Sequence, residues 1–255
     1  MGPTISRWRG FGNTNRLWIF RSWRGTGSVM NLPIYSGVMA GKPKGRIAPR
    51  IDEALLTENF SEQLASGSVH DALAVEMAFP SLVSPRGQAA SIEGCIWRSV
   101  TLSNPKAQRL RLRDARIESS DLANIDMTGA TLERVEILST RLTGATCSEM
   151  QLKSVLFHEC KLDFALFRMA QLEHCVFEKC NLAEADFYRA NLTGAIFRGC
   201  DLNRIDISHA TLTGADFRDC RLDGMRGRPD AMDGLIISPD QAALLITLFG
   251  VRVQW

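Results

Sequence analysis

The sequence predicts an all-β solenoid, a four-sided β-helix closed at its C-terminal end by a short α-helical cap. Three observations carry that prediction. From Ile92 to Leu222 every fifth residue is apolar, 27 positions without a slip of register. Two residues before each stands a second, smaller series, such as Cys180, Ala185, Ala190, Ala195 and Cys200. The large series itself alternates, with Leu at 112, 122, 132, 142 and 152 and Phe or Ile at 117, 137, 157, 177, 197 and 217.

A period of five suits neither regular element. Five residues advance an α-helix by about 500°, so an apolar stripe would wander, and a strand alternates by two and would change face at each unit. The chain must therefore turn a corner every five residues, pointing the small and the large residue inward on each side and leaving three polar positions for solvent and corner. Four sides stack Leu on Leu and Phe on Phe, whereas three sides would mix them. Two sides would set Leu156 beside Leu166 but Val176 beside Asp186. Four sides make 20 residues per coil, nearly seven coils, and a rod of roughly 30 Å at the ~4.8 Å strand spacing.

Residues 1–50 carry nine Lys/Arg, no acid and Trp8, Trp18 and Trp23, with no apolar period. A nucleic-acid arm or an organelle-targeting peptide has this composition. So does a disordered leader, or an extension upstream of a start at Met30 or Met39. The opening Gly2 to Ser6 fits the loose myristoylation pattern. Residues 51–89 read as a lead-in that covers the first coil, with helical character over Ile51–Leu64 and a strand over Val69–Phe79 through Leu73, Val75 and Met77. Pro105 and Ala107 fit the repeat least well, which predicts a bulge near Asn104–Pro105.

The repeat over 90–222 has 17 bases and 18 acids, so the basic excess behind the net charge of +2 belongs to the leader. After Leu222 the period stops. Ser238 is placed as an N-cap with Pro239 at the first helical position and Gly250 as the stop. Ala242, Leu245, Ile246 and Phe249 form the stripe of a helix that lids the last coil and is a candidate dimer contact. No run approaches the ~18 apolar residues of a membrane span. The seven cysteines form no CxxC pair and fall on inward positions, which places the chain in a reducing compartment, the cytoplasm.

Units such as Ala185-Asp186-Phe187-Tyr188-Arg189, Ala190-Asn191-Leu192-Thr193-Gly194 and Ala215-Asp216-Phe217-Arg218-Asp219 resemble the A(D/N)LXX pattern of the pentapeptide repeat family. That resemblance implies a right-handed quadrilateral β-helix. The tail from Ile236 through Ser238-Pro239-Asp240-Gln241 resembles the end of a bacterial, actinobacterial-type subgroup, and implies a homodimer through the C-terminal helix. The family also contains quinolone-resistance proteins that imitate B-form DNA and bind DNA gyrase, so a gyrase or topoisomerase modulator is the alternative function. Their rods are strongly acidic, whereas this one is near neutral and begins with Arg98, Arg109, Arg111, Arg113 and Arg116. Such a rod lacks the field that draws a DNA-binding cleft, and the repeat is not expected to bind nucleic acid itself.

No phosphate loop, dinucleotide fingerprint, HExxH or GxSxG occurs, and no catalytic residue, cofactor or metal is expected. His70, His158, His174 and His209 read as surface residues, and the column Cys160, Cys180, Cys200 and Cys220 as core packing. Asp121, Asp126, Asp186, Asp201, Asp206 and Asp216 occupy the outward slot before the large core residue and read as corner hydrogen-bonders. The same slot holds Leu156, Val176 and Ile196, 20 apart, with Leu166, Phe164 and Met169 expected near their lower end. These six are the candidate partner surface of a non-catalytic interaction or scaffold module.

Overall fold

In the computed structural model the described residues are 45–53, 56, 59–79, 82, 89–102, 106–246 and 251. They form a parallel β-solenoid. Chain order begins with α1 (Phe60–Ser66), then β1 (Ser68–His70), β2 (Leu73–Val75), β3 (Ala78–Phe79), β4 (Ser91–Glu93), β5 (Ile96–Arg98) and β6 (Thr101–Leu102). It continues with β7 (Arg111–Glu118), β8 (Thr131–Leu138), β9 (Gln151–Lys153), β10 (Leu156–His158), β11 (Gln171–Glu173), β12 (Val176–Glu178) and β13 (Ile196–Arg198), and ends at α2 (Pro239–Leu245).

Register confirms the 20-residue coil: Leu112 pairs with Leu132, Phe157 with Phe177, and Phe177 with Phe197. Each side is named here by its core residue in one coil, in the order Leu162, Phe167, Leu172, Phe177. The Phe177 side therefore lies opposite the Phe167 side. Phe157, Phe177 and Phe197 stack at 4.7 Å with near-parallel rings, and Phe167 stacks on Phe187 at 4.9 Å. Stacking like on like repeats one ring orientation from coil to coil until Phe217, which meets Phe197 at 74°, and each fully buried Phe is stabilised by about 1.5–3 kcal/mol.

Corners follow one conformation. Every fifth residue from Arg109 to Asp219, and then Gly224, has positive φ. Ala165 N–H donates to Leu162 O at 3.0 Å, closing a turn with Phe164 at the left-handed position. Asp and Asn in the outward slot complete it: Ala123 N–H donates to Asp121 Oδ1, Tyr188 N–H to Asp186 Oδ1 and Ser208 N–H to Asp206 Oδ1, at 2.8–3.1 Å. The expected role of these carboxylates is thus the observed one.

The solenoid reaches further down than residue 90. Strands β1, β2 and β3 pair in parallel with β4, β5 and β6 at a spacing of 23 rather than 20. Val69–Phe79 is accordingly not one alternating strand. Val69, Ala72 and Ala74 are buried and Val75 is exposed, because the segment already steps by five. Helix α1 is confined to Phe60–Ser66, with Phe60 set edge-on against Trp97 at 5.7 Å. The bulge expected near Asn104–Pro105 and the leader up to residue 44 lie outside the described residues.

At the other end Ser238 N–H donates to Gln241 Oε1 at 2.8 Å, opening α2 behind Pro239. The buried residues of α2 are Gln241 and Leu245; Ala242 and Ile246 face outward, and Phe249 lies outside the described residues. Of the expected stripe Ala242, Leu245 and Ile246, only Leu245 is buried, and Gln241 joins it on the inner face in place of the other two. Gln241 Nε2 donates to the carbonyls of Phe217 at 2.9 Å and Cys220 at 2.7 Å, groups with no further coil to pair with.

Candidate interaction surfaces

The six residues expected to form one surface fall on two opposite sides. Leu156, Val176 and Ile196 stack on the Phe177 side, where Leu156 pairs with Glu136 below and Val176 above. Leu166 bridges Thr146 and Asp186 on the Phe167 side, with Phe164 and Met169 at its two corners. Ten residues separate Leu156 from Leu166, and ten residues are half a coil.

Leu156 and Val176 are also not exposed: 4% and 1% of their surface is accessible, and Ile196 is half-buried. Residues 45–53 run along this side. A methyl group added at Gly45 (φ +94°) would stand 2.5 Å from His174 Nδ1, so only glycine fits there. Arg46 Nη2 donates to Glu136 Oε1 at 2.9 Å, with 6% of its side chain exposed. Arg50 N–H donates to Asp114 Oδ1 at 2.8 Å, and Arg116 Nη1 reaches Glu53 Oε1 at 3.1 Å. His174 and Asp114 stand three coils apart on one corner, ~14 Å at the strand spacing, and the five residue steps from Gly45 to Arg50 span ~16 Å when extended. The strap therefore runs along the rod axis, across the coils. Reading 45–50 with the basic leader missed it, because the anchors are 60 to 90 residues away and leave no local pattern.

The opposite side is open. Phe164 is 58% and Met169 43% exposed, with Leu166 half-buried between them. One coil on, Tyr188 lies between two guanidinium groups, 5.9 Å from that of Arg168 and 5.3 Å from that of Arg189, and meets the ring of His209 edge-on at 5.5 Å. Arg168 Nε also donates to Asp186 Oδ2 at 2.6 Å. Tyr188, Arg168 and Arg189 were not singled out from the sequence, although the 20-residue step places Arg168 under Tyr188 and Met169 under Arg189.

Elsewhere the outer surface is self-neutralised. Coil-to-coil pairs join Glu93 and Glu133 to Arg113, Lys153 to Glu173, Glu178 to Arg198 and Asp201 to Arg221. Exposed pairs of this kind each contribute ~0–1 kcal/mol, but they leave no acidic stripe. Burial pushes the Cys147 and Cys175 thiols up to about 12 and the Cys95 thiol to about 11. Among the described residues no group of three or more His, Cys, Asp or Glu is placed to hold a metal, and no helix is long and apolar enough to cross a membrane.

Comparison with known proteins agrees with this geometry. The pentapeptide repeats family (8 copies) matches residues 111–146, and the pentapeptide repeat region matches 168–227. A trypsin-treated form of QnrB1, a plasmid-mediated fluoroquinolone resistance protein, is 20% identical over 74% of this chain and 92% of its own, with a TM-score of 0.42. HetL, involved in heterocyst differentiation regulation in the cyanobacterium Nostoc sp. strain PCC 7120, is 18% identical over 66% and 86%, with a TM-score of 0.27. At these values the likeness says nothing about what this chain binds. No curated protein sequence matches it.

Proposed function

We propose that this chain, a member of the pentapeptide-repeat family through residues 111–146 and 168–227, works as a non-catalytic scaffold that docks a protein on its Phe167 side. The observation that supports this is the pair Phe164 and Met169. Both are large apolar residues held at positive φ with their side chains exposed. A bulky side chain in the left-handed region costs stability, and neither residue recovers it by burial. Phe, Met, Tyr and Arg are also the types enriched where proteins meet, and Tyr188 stands between Arg168 and Arg189 beside the two. The partner it fits presents an apolar side chain flanked by carboxylates.

Affinity capture after crosslinking in the native host tests the reading. The same protein is expected with the wild type and lost with Phe164→Asn/Met169→Asn, while the rod stays folded; capture that is unchanged in the double variant overturns it.

A homodimer through α2 is proposed beside it, since Ala242 and Ile246 face outward. A monomer mass in light scattering at high concentration removes that part. Gyrase modulation fits less well, because the carboxylates of the rod are paired with cations one coil away. Inhibition of supercoiling, or protection from quinolone, at stoichiometric protein would restore it.

A further inference from the structure

We propose that the Phe177 side is a second docking surface, made for an extended, arginine-bearing chain segment, and that residues 45–53 occupy it as an exchangeable resident which a partner's segment of the same chemistry displaces. The resident shows what the surface accepts. Its three anchors are an arginine side chain on Glu136, a backbone N–H on Asp114 and a carboxylate on Arg116. Above the Glu136 anchor lie Leu156 and Val176, apolar in a slot that is otherwise mostly polar, reaching the level where Gly45 meets His174, so the seat combines a charged lower end with an apolar upper floor.

Two features make the resident exchangeable. It crosses the coils on contacts to side chains of the rod and contributes no strand to the ladder, so its removal leaves the pairing of β8, β10, β12 and β13 intact. The seal is also incomplete, because Arg46 Nε and Ser154 Oγ are both buried without a hydrogen-bond partner. Unmet buried polar groups weaken the hold of a segment on its seat. Beyond the level of His174 the floor continues to half-buried Ile196, which leaves room for a segment longer than the resident.

The test uses the full chain and a fluorescein-labelled peptide with the sequence of residues 45–53, followed by anisotropy. Truncating one member of a buried charge pair weakens such a contact at least about tenfold. Arg46→Ala, which weakens the resident, is therefore expected to bind the peptide at least about tenfold more tightly than the wild type, and adding Glu136→Gln to that variant is expected to lose this binding. Gly45→Ala, which drives a methyl group into His174 and leaves the anchors in place, should behave as Arg46→Ala does and serves if that variant fails to fold. Absence of peptide binding to both opened variants, with their β-sheet signal retained, overturns the proposal. So does binding to the double variant Arg46→Ala/Glu136→Gln that is as tight as binding to Arg46→Ala. Loss of partner capture at Phe164 has no bearing on either outcome, since that residue is on the opposite side.

Discussion

Arg134 grips Asp114 with two hydrogen bonds, Nε to Oδ1 at 2.8 Å and Nη2 to Oδ2 at 2.6 Å, one coil above it on the same corner of the rod. Both residues are buried and both have positive φ. Burial opposes the charged carboxylate, but the Arg134 hydrogen bonds, the Arg50 N–H and the charges of Arg134 and Arg113 outweigh it and hold Asp114 below its ordinary value. A carboxylate depressed in the folded state contributes stability above its unfolded value, about pH 4, and loses it as pH falls through the lower folded value. Thermal melts of the wild type should therefore fall steeply below about pH 4, and those of Asp114→Asn should fall less steeply. Arg134→Ala leaves Asp114 buried without its main partner and should cost about 3–5 kcal/mol at pH 7. A loss below ~1 kcal/mol, of the size of an exposed pair, would show that water reaches this corner.

The cysteines should be silent in the native state. All seven are buried and unbridged, and burial raises Cys147 and Cys175 to about 12 and holds Cys180 well above its ordinary value. The Cys180 and Cys200 thiols donate to the carbonyls of Phe157 and Phe177, both at 3.4 Å. With no access to any of the seven, a disulfide reagent at pH 8 should label none of them on the timescale that labels all of them in denaturant. Rapid reaction of the Cys160–Cys220 column in folded protein would overturn the packing role.

Gln241 should matter more than any apolar residue of α2. Its two hydrogen bonds meet the carbonyls of Phe217 and Cys220, and Gln241→Ala leaves both in a buried, dry position. The expected cost is about 1–3 kcal/mol, chiefly for the Cys220 carbonyl because that of Phe217 keeps the Cys220 N–H at 3.3 Å, and it is confined to the last coil. Hydrogen exchange should accelerate at Ile236 and Arg221 and hold at Leu132. Ala242→Ser, on the exposed face, should change nothing.

The legible part of the fold was the part that repeats. A register of 27 apolar positions excluded three sides, because these would mix Leu with Phe, and the mismatch of Val176 with Asp186 excluded two. The corner conformation was legible too, though a different signal carries it: from Arg109 to Gly224 no position at the left-handed slot holds Val, Ile, Thr or Pro. The candidate surface was only half legible. Spacing placed Leu156 over Val176, but it could not show that Arg46 and Gly45 cross them, since contacts 90 residues apart have no period. Placing Leu166 near Leu156 was an error of counting sides rather than of chemistry. In the cap, spacing shows Ser238 and Pro239 as the helix start, but that the Gln241 amide meets the last coil's carbonyls depends on where the rod ends.

Phe164 and Met169 offer the sharpest separation of stability from function. In the slot of Phe164 the coils below and above carry Asn124, Gly144, Glu184, Arg204 and Gly224, all at positive φ. Asn tolerates this conformation better than a large apolar residue, and Phe164 is too exposed for its burial to offset the difference. Phe164→Asn should therefore stabilise the rod by about 1 kcal/mol, raising Tm by ~2–4 °C for a chain of this size. Met169→Asn should act in the same direction. If the pair is retained for docking, the gain in Tm and the loss of the captured protein appear together in one variant, as expected where stability has been given up at a binding site. A drop in Tm on either substitution would mean that these side chains pack against the rod and contribute to it, and the docking surface would have to be sought elsewhere.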